Sequence, residues 1–281
     1  MRTMFFDANC MIGQRFSFED AIFKDGKALL KIMDSKGIDR ALVFHSMARE
    51  NFIDEGNLEV VREAQSSERL LPCWAVMPHY SGECRNPGEI VKAMAAANVR
   101  AVRIFPEYHR IKLYTWIWEE LFSRLEACRA PVLMDFSNTG WTQEIDWDGI
   151  NAICGRFPHL PLILLRQGQV ADRYIYYLLE RHGNLYLETS YYQVHNGIAS
   201  IAAKFGAERL RGPYSIRIIP EYNVDIEVRT ERDIKSVSYF SPDEADGEKP
   251  LHFSRNGSIV KFRLPKLEYY SIIKLEFMYR H

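Results

Sequence analysis

The 281-residue chain is 47 % hydrophobic and 26 % charged, the profile of a well-cored globular protein, and its net charge of −1 provides no long-range field to draw it to nucleic acid or to an anionic membrane. No apolar run approaches the roughly 20 residues that cross a bilayer, and the opening MRTMFFDANCMIG turns polar too soon for a secretory signal and reads as a strand. Five cysteines, at 10, 73, 84, 128 and 154, are odd in number and form no CxxC pair, so the expectation is a reduced, cytoplasmic protein without a disulfide framework or a thiolate zinc site.

From residue 1 to about 210, short apolar runs alternate with helix-period segments. The runs are TMFFDAN (3–9), RALVFHS (40–46), LLPCWAVMP (70–78), VRAVRIFP (99–106), APVLMDFS (130–137), LPLILLRQ (160–167) and NLYLETS (184–190). Each is continuous rather than alternating, as parallel strands buried on both faces require. Between them, EDAIFKDGKALLKIMDSKG ends in a glycine suited to a C′ position and NPGEIVKAMAAAN carries proline in its first turn. TWIWEELFSRLEACR, DGINAICGRFP, ADRYIYYLLERHG and NGIASIAAKFG have the same period. Seven strand–helix units in series predict an α/β fold, a (β/α)8-type TIM barrel over residues 1–212 that is incomplete or distorted. An open doubly wound sheet is the alternative, without a GxGxxG after the first strand to support it.

After FGAERL (205–210) the pattern changes to strands alone: SIRIIPEYNVDIEVRT, DIKSVSYFSPD, KPLHFS, SIVKFRLP and YYSIIKLEFMYR, separated by DEADGE, RNG and the Pro265–Lys266 step. Residues 213–281 are expected to form a small antiparallel β-sandwich. Seven units leave a parallel edge unpaired. YSIRIIP (214–220), the sandwich, or a second copy of the chain is expected to cover it.

Active sites of such barrels lie at the C-terminal strand ends. Those ends carry Asp7 and Asn9, then His45 and Arg49, then Trp74 and His79, then Arg103, Glu107 and His109, then Asp135, then Arg166 and Gln167, then Glu188 with Tyr192 and His195. Arg103 and Arg166 sit inside runs that would otherwise be core, and a buried guanidinium needs a partner. Asp135 and Glu188 are the natural ones. Two readings stay open: a structural salt-bridge plug, or an anion- or polyol-binding pocket with acid–base groups. In the second, His45, Asp135 and Glu188 are the catalytic candidates, and Asn9, Arg103, Glu107, His109, Arg166 and Tyr192 bind substrate. The set suits a metal poorly, because catalytic zinc wants about three close His or carboxylate ligands and two arginines would repel a cation. No cofactor is expected, with zinc or manganese as the alternative held by His45, Asp135 and Glu188.

Several of these stretches carry a family likeness. DANCMIG, GIDRALVFHS, LLPCWAVMP, VRAVRIFPEYH, NLYLETSYYQ and FGAERL, in order over residues 3–210, resemble the amidohydrolase-related metal-dependent hydrolases, the branch that includes decarboxylases of aromatic carboxylates. The resemblance implies a distorted (β/α)8 barrel. It also implies a lost metal site, since the paired strand-one histidines fall on Asn9 and Met11 and those after strands five and six fall near Asp135 and Arg166. The tail from Asp225 resembles the accessory β-sandwich of bacterial glycoside hydrolases, closed by one strand, Leu264–Glu276. Together these readings predict a divergent hydrolase or decarboxylase-like lyase of a small anionic or carbohydrate-derived substrate, or a non-catalytic carbohydrate- or organic-acid-binding protein.

Overall fold

The computed structural model describes residues 5–13, 23–50, 52–136, 145–167, 171–190, 192, 194–211, 221–240, 248–267 and 272–278. The chain divides into two compact units, Met1–Tyr214 and Ser215–His281. No helix among the described residues is long and apolar enough to cross a membrane.

The first unit is the barrel-type α/β fold expected from the sequence. Eight parallel strands neighbour one another in chain order: β1 (Phe6–Ile12), β2 (Arg40–His45), β3 (Leu70–Ala75), β4 (Ala101–Ile104), β5 (Val132–Asp135), β6 (Leu162–Leu165), β7 (Leu185–Glu188) and β8 (Leu210–Arg211). Between them run α1 (Gly26–Lys36), α2 (Ser46–Glu50), α3 (Ile53–Ala64), α4 (Pro87–Ala96), α5 (Thr115–Ala127), α6 (Trp147–Arg156), α7 (Asp172–Arg181) and α8 (Gly197–Phe205). The eighth strand is two residues long and pairs Leu210 with Leu187 and Arg211 with Glu188. It starts before the segment expected to supply it, and residues 214–220 lie outside the described residues.

Two boundaries differ from the sequence reading for local reasons. β1 does not end at Asn9 but runs to Ile12, with its register on β2 shifting between Asp7 and Cys10. At that shift the Asn9 amide donates to Asp7 Oδ1 at 2.9 Å, a local bond that lets the polar pair sit inside a strand. The first helix starts at Gly26 rather than near Glu19. Asp25 caps it by accepting from the Ala28 amide at 2.8 Å, and Phe23 still bridges Ile12.

Strand residues alternate between two apolar clusters. Trp74, Val76, Val102, Ile104, Val132, Met134, Leu162 and Leu164 pack with helix residues such as Met33, Met94, Trp118 and Phe122. Their neighbours Cys73, Ala75, Ala101, Phe105, Leu133 and Leu165 join Phe44 in a separate, inner cluster. Arg103, Asp135 and Glu188 fall on this inner parity, and all three are buried to 1 % exposure or less. Asn57, on α3, fixes the end of β3 by donating to the Ala75 carbonyl and accepting from its amide, both at 2.8 Å.

The second unit holds two three-stranded antiparallel sheets, with strands in the order β11 (Lys249–Leu251), β10 (Ile234–Phe240), β14 (Ile272–Phe277) and the order β12 (Phe253–Asn256), β13 (Ile259–Leu267), β9 (Glu221–Arg229). Side chains of both sheets, among them Val237, Leu275, Val260 and Phe262, form one apolar cluster. The stretch Leu264–Glu276 is not one strand, because it is shared between β13 and β14 in different sheets. Nor does the Pro265 step end β13. Leu264 pairs with Val224 and Lys266 with Tyr222, while β12, the neighbour on the other side, has already ended opposite Phe262. A residue without an N–H is tolerated there.

Candidate functional site

Four strands bring polar groups to one buried point at the C-terminal ends of the sheet. Asp135, the last residue of β5, accepts on its Oδ2 from Arg103 Nη2 at 2.5 Å, Arg103 Nε at 3.2 Å and Arg166 Nη2 at 2.7 Å. Arg103 Nη2 also donates to Asn9 Oδ1 at 2.8 Å, which ties β1 to β4. The Arg103 guanidinium carbon lies 4.1 Å from the centre of the Phe44 ring and 5.3 Å from that of Phe105. Rings and acceptors together replace the water this cation has lost. Burial pulls Arg103 below the usual arginine range and the Asp135 carboxylate pushes it back up.

Arg166 reaches the same carboxylate by a backbone device. It follows β6 directly, where alternation would turn it outward, but its φ of 56° is left-handed and breaks the alternation. Its side chain is 20 % exposed against 1 % for Arg103, so it is the cation of the pair that solvent can reach. Its Nε is buried and has no hydrogen-bond partner among the described residues, and the same holds for Oε1 of the adjacent Gln167.

Glu188 ends β7 beside this pair. Its Oε1 accepts from the Ser190 amide at 2.7 Å, and its Oε2 accepts from the Ser190 hydroxyl at 2.7 Å and the Arg166 amide at 3.4 Å. Burial raises the carboxyl above the ordinary glutamate range, with the Ser190 bonds, the Arg166 amide and the Arg103 charge opposing the shift. A carboxyl raised in the folded state gives stability that is full below the unfolded value, about 4.3, and that is lost as pH rises through the folded value. We expect Glu188→Gln, neutral at every pH, to flatten that loss in urea unfolding measured from pH 4 to 9. A wild-type-minus-variant difference that does not change with pH would refute it.

The other candidates lie elsewhere. His45 is on the opposite parity to the inward Phe44. Its ring lies against Gly13, whose left-handed φ of 95° and missing Cβ make room for it, and it feels Glu59 and Glu63 of α3. It does not join the centre. Tyr192 donates from its hydroxyl to Asp172 Oδ1 at 2.5 Å and belongs to the helix-side cluster, holding the chain after β7 to the start of α7. His109 stands one ring away, its imidazole 5.5 Å from Phe105 on centroids and its Nε2 2.9 Å from the Arg49 carbonyl, and burial lowers it below the usual histidine range. Glu107 is half-buried in the same post-β4 loop. Phe44, Phe105 and Ser190 are the parts of the centre that the list of polar strand ends passes over. Ser190, two residues after Glu188 in LETS, carries the local signature of a hydroxyl turning back on its own chain.

No protein-family model matches the chain, and no curated protein matches it. Solved structures do. The chain is similar to 5-carboxyvanillate decarboxylase from Sphingomonas paucimobilis (TM-score 0.55, 12 % identity, covering 74 % of this chain and 87 % of that one). It is similar to an amidohydrolase candidate from Staphylococcus aureus (TM-score 0.55, 10 % identity, covering 76 % and 89 %). The likeness is one of fold, a barrel-type α/β arrangement shared with these structures. A third similar structure is 5-carboxyvanillate decarboxylase from Novosphingobium aromaticivorans, complexed with manganese and 4-hydroxy-3-methoxy-5-nitrobenzoic acid (TM-score 0.50, 14 % identity, covering 65 % and 67 %).

The centre of the barrel unit does not fit a divalent metal. Among the described residues no group of three or more His, Cys, Asp and Glu side chains is placed to hold one. Asp135 faces two guanidiniums and Glu188 is turned to Ser190, so a divalent cation here would meet like charge.

Proposed function

We propose that the barrel unit acts on a small carboxylic acid, gripped by Arg166, with Glu188 carrying the proton and no resident divalent metal. The observation behind this reading is the unequal pairing of charge: two guanidiniums converge on one oxygen of Asp135. Arg103 is sealed, so the surplus positive charge is presented through Arg166. A guanidinium with one nitrogen on Asp135 and a buried Nε unpartnered retains donors for a ligand carboxylate, and charge-assisted bonds of this kind are the strong ones. Glu188, raised by burial, is suited to give a proton and take it back. The reaction class we infer is hydrolysis or decarboxylation of the acid, which proteins of the same fold are named for. We read the second unit as a two-layer β-sandwich accessory to the barrel, because side chains of both sheets share one apolar cluster.

The test is thermal unfolding and calorimetric titration against benzoate, malonate, citrate and neutral oligosaccharides. Acids are expected to raise the melting temperature, and Arg166→Met to weaken their binding by about 10- to 100-fold, the worth of a charged hydrogen bond. Arg166→Lys should recover part of it. Shifts with sugars alone would replace this reading with carbohydrate binding, and unchanged acid affinity in Arg166→Met would leave the salt-bridge plug.

A further inference from the structure

Glu188 is fully buried, so a proton it gives or takes must pass through a neighbour that a ligand can reach. Among the described residues three groups bond to it: the Ser190 amide on Oε1 at 2.7 Å, the Arg166 amide on Oε2 at 3.4 Å and the Ser190 hydroxyl on Oε2 at 2.7 Å. The two amides keep their protons and hold the carboxylate in place. The hydroxyl can give its proton up, and Ser190 is only half-buried. A hydroxyl within hydrogen-bond reach of a base that other groups fix in position is the arrangement that makes a serine nucleophilic. Burial raises the proton affinity of Glu188, which strengthens it as a base.

We propose that Ser190 is the nucleophile of a hydrolase centre, that Glu188 is its general base, and that the substrates are esters or amides of the small acid that Arg166 grips. The inference rests on the carboxylic-acid reading and narrows it to hydrolysis, because the oxygen that Arg166 holds in the product acid is the carbonyl oxygen of the substrate. In the first step Oγ bonds to the carbonyl carbon, its proton passes to Glu188 Oε2, and the carbonyl electron pair moves onto the oxygen. The Arg166 guanidinium, the cation that solvent reaches, takes the charge gathered there. Collapse breaks the bond to the alcohol or amine, which leaves with the proton from Glu188. Water then attacks the acyl–Ser190 ester and gives a proton to Glu188, and the acid departs as that proton returns to Oγ. The balance needs water alone.

The experiment treats the full chain with a fluorophosphonate and with 4-nitrophenyl acetate, locates the label by intact mass and peptide mapping, and follows benzoate, malonate and citrate binding by calorimetry. The wild-type protein should take one phosphonyl group per chain, on Ser190, and turn over 4-nitrophenyl acetate. Ser190→Ala should lose both and still bind the acids, and Ser190→Cys should take the acetyl group as a thioester. Glu188→Gln should slow labelling by about 10²–10⁴-fold, the worth of a general base. A wild-type protein that binds the acids through Arg166 and leaves Ser190 unlabelled would overturn the proposal and leave the carboxylic-acid reading standing. Label at full rate in Glu188→Gln would remove the base. A labelled Ser190 without acid binding would remove the Arg166 grip and keep the nucleophile. A protein that neither binds the acids nor takes the label would overturn both.

Discussion

Asp135→Ala is expected to cost about 3–5 kcal/mol, the loss seen when one partner is removed from a buried ion pair. For a unit of this size that lowers the melting temperature by on the order of 10 °C. The carboxylate is fully buried and its Oδ2 takes bonds from two guanidiniums, so its removal strips Arg103 of its charged acceptor, leaves it the Asn9 amide oxygen, and brings two cations together unscreened. Asp135→Asn keeps an oxygen in place and removes the charge, and its loss should be intermediate. Differential scanning calorimetry of the three proteins decides it. A fall of one or two degrees for alanine would mean that water enters the centre freely.

Phe44→Ala carries the second large effect, about 3–5 kcal/mol for a buried phenylalanine. The ring is 2 % exposed, lies 4.1 Å under the Arg103 guanidinium and is 5.6 Å from Phe105 on centroids. Part of the loss is apolar packing, and part is the face that stands in for water against a desolvated cation, worth about 2 kcal/mol in such settings. Phe44→Leu separates the two, since it keeps most of the volume and loses the face. Denaturant midpoints should rank wild type above Leu above Ala. A leucine variant as stable as wild type would show that the ring serves only as bulk.

How far the centre can be read from sequence turns on strand parity. The guanidinium–carboxylate pairing of Arg103 and Arg166 with Asp135 follows from the cost of burying charge inside apolar runs, and the structure places those groups in contact. His45 and Tyr192 do not follow, because strands apolar on both faces do not reveal which face is inner. RALVFH looks uniform, yet Phe44 points to the centre and His45 away from it. Arg166 shows the reverse problem, since a left-handed residue after β6 puts a side chain where alternation forbids it and no letter in LILLRQG announces that turn. The split of Leu264–Glu276 between two sheets was hidden for a similar reason: a strand pattern gives period, not partners.

The sequential order of the parallel sheet has a consequence for how the protein is made. Every described pairing in the barrel unit joins a strand to the one just before it in the chain, from β1 with β2 to β7 with β8. As the chain leaves the ribosome, each strand can therefore dock on a template already in place, and no described pairing waits for the last one. An order of this kind lets the unit assemble from its N-terminal part during synthesis. The centre is the exception within that unit: Arg103 can meet Asn9 and Phe44 as soon as β4 emerges, but it has no carboxylate until β5 follows. The second unit has the opposite habit, because among the described residues β9 pairs with β13 and β10 takes β14 as a neighbour, so its sheets close only when the chain has reached β13 and β14.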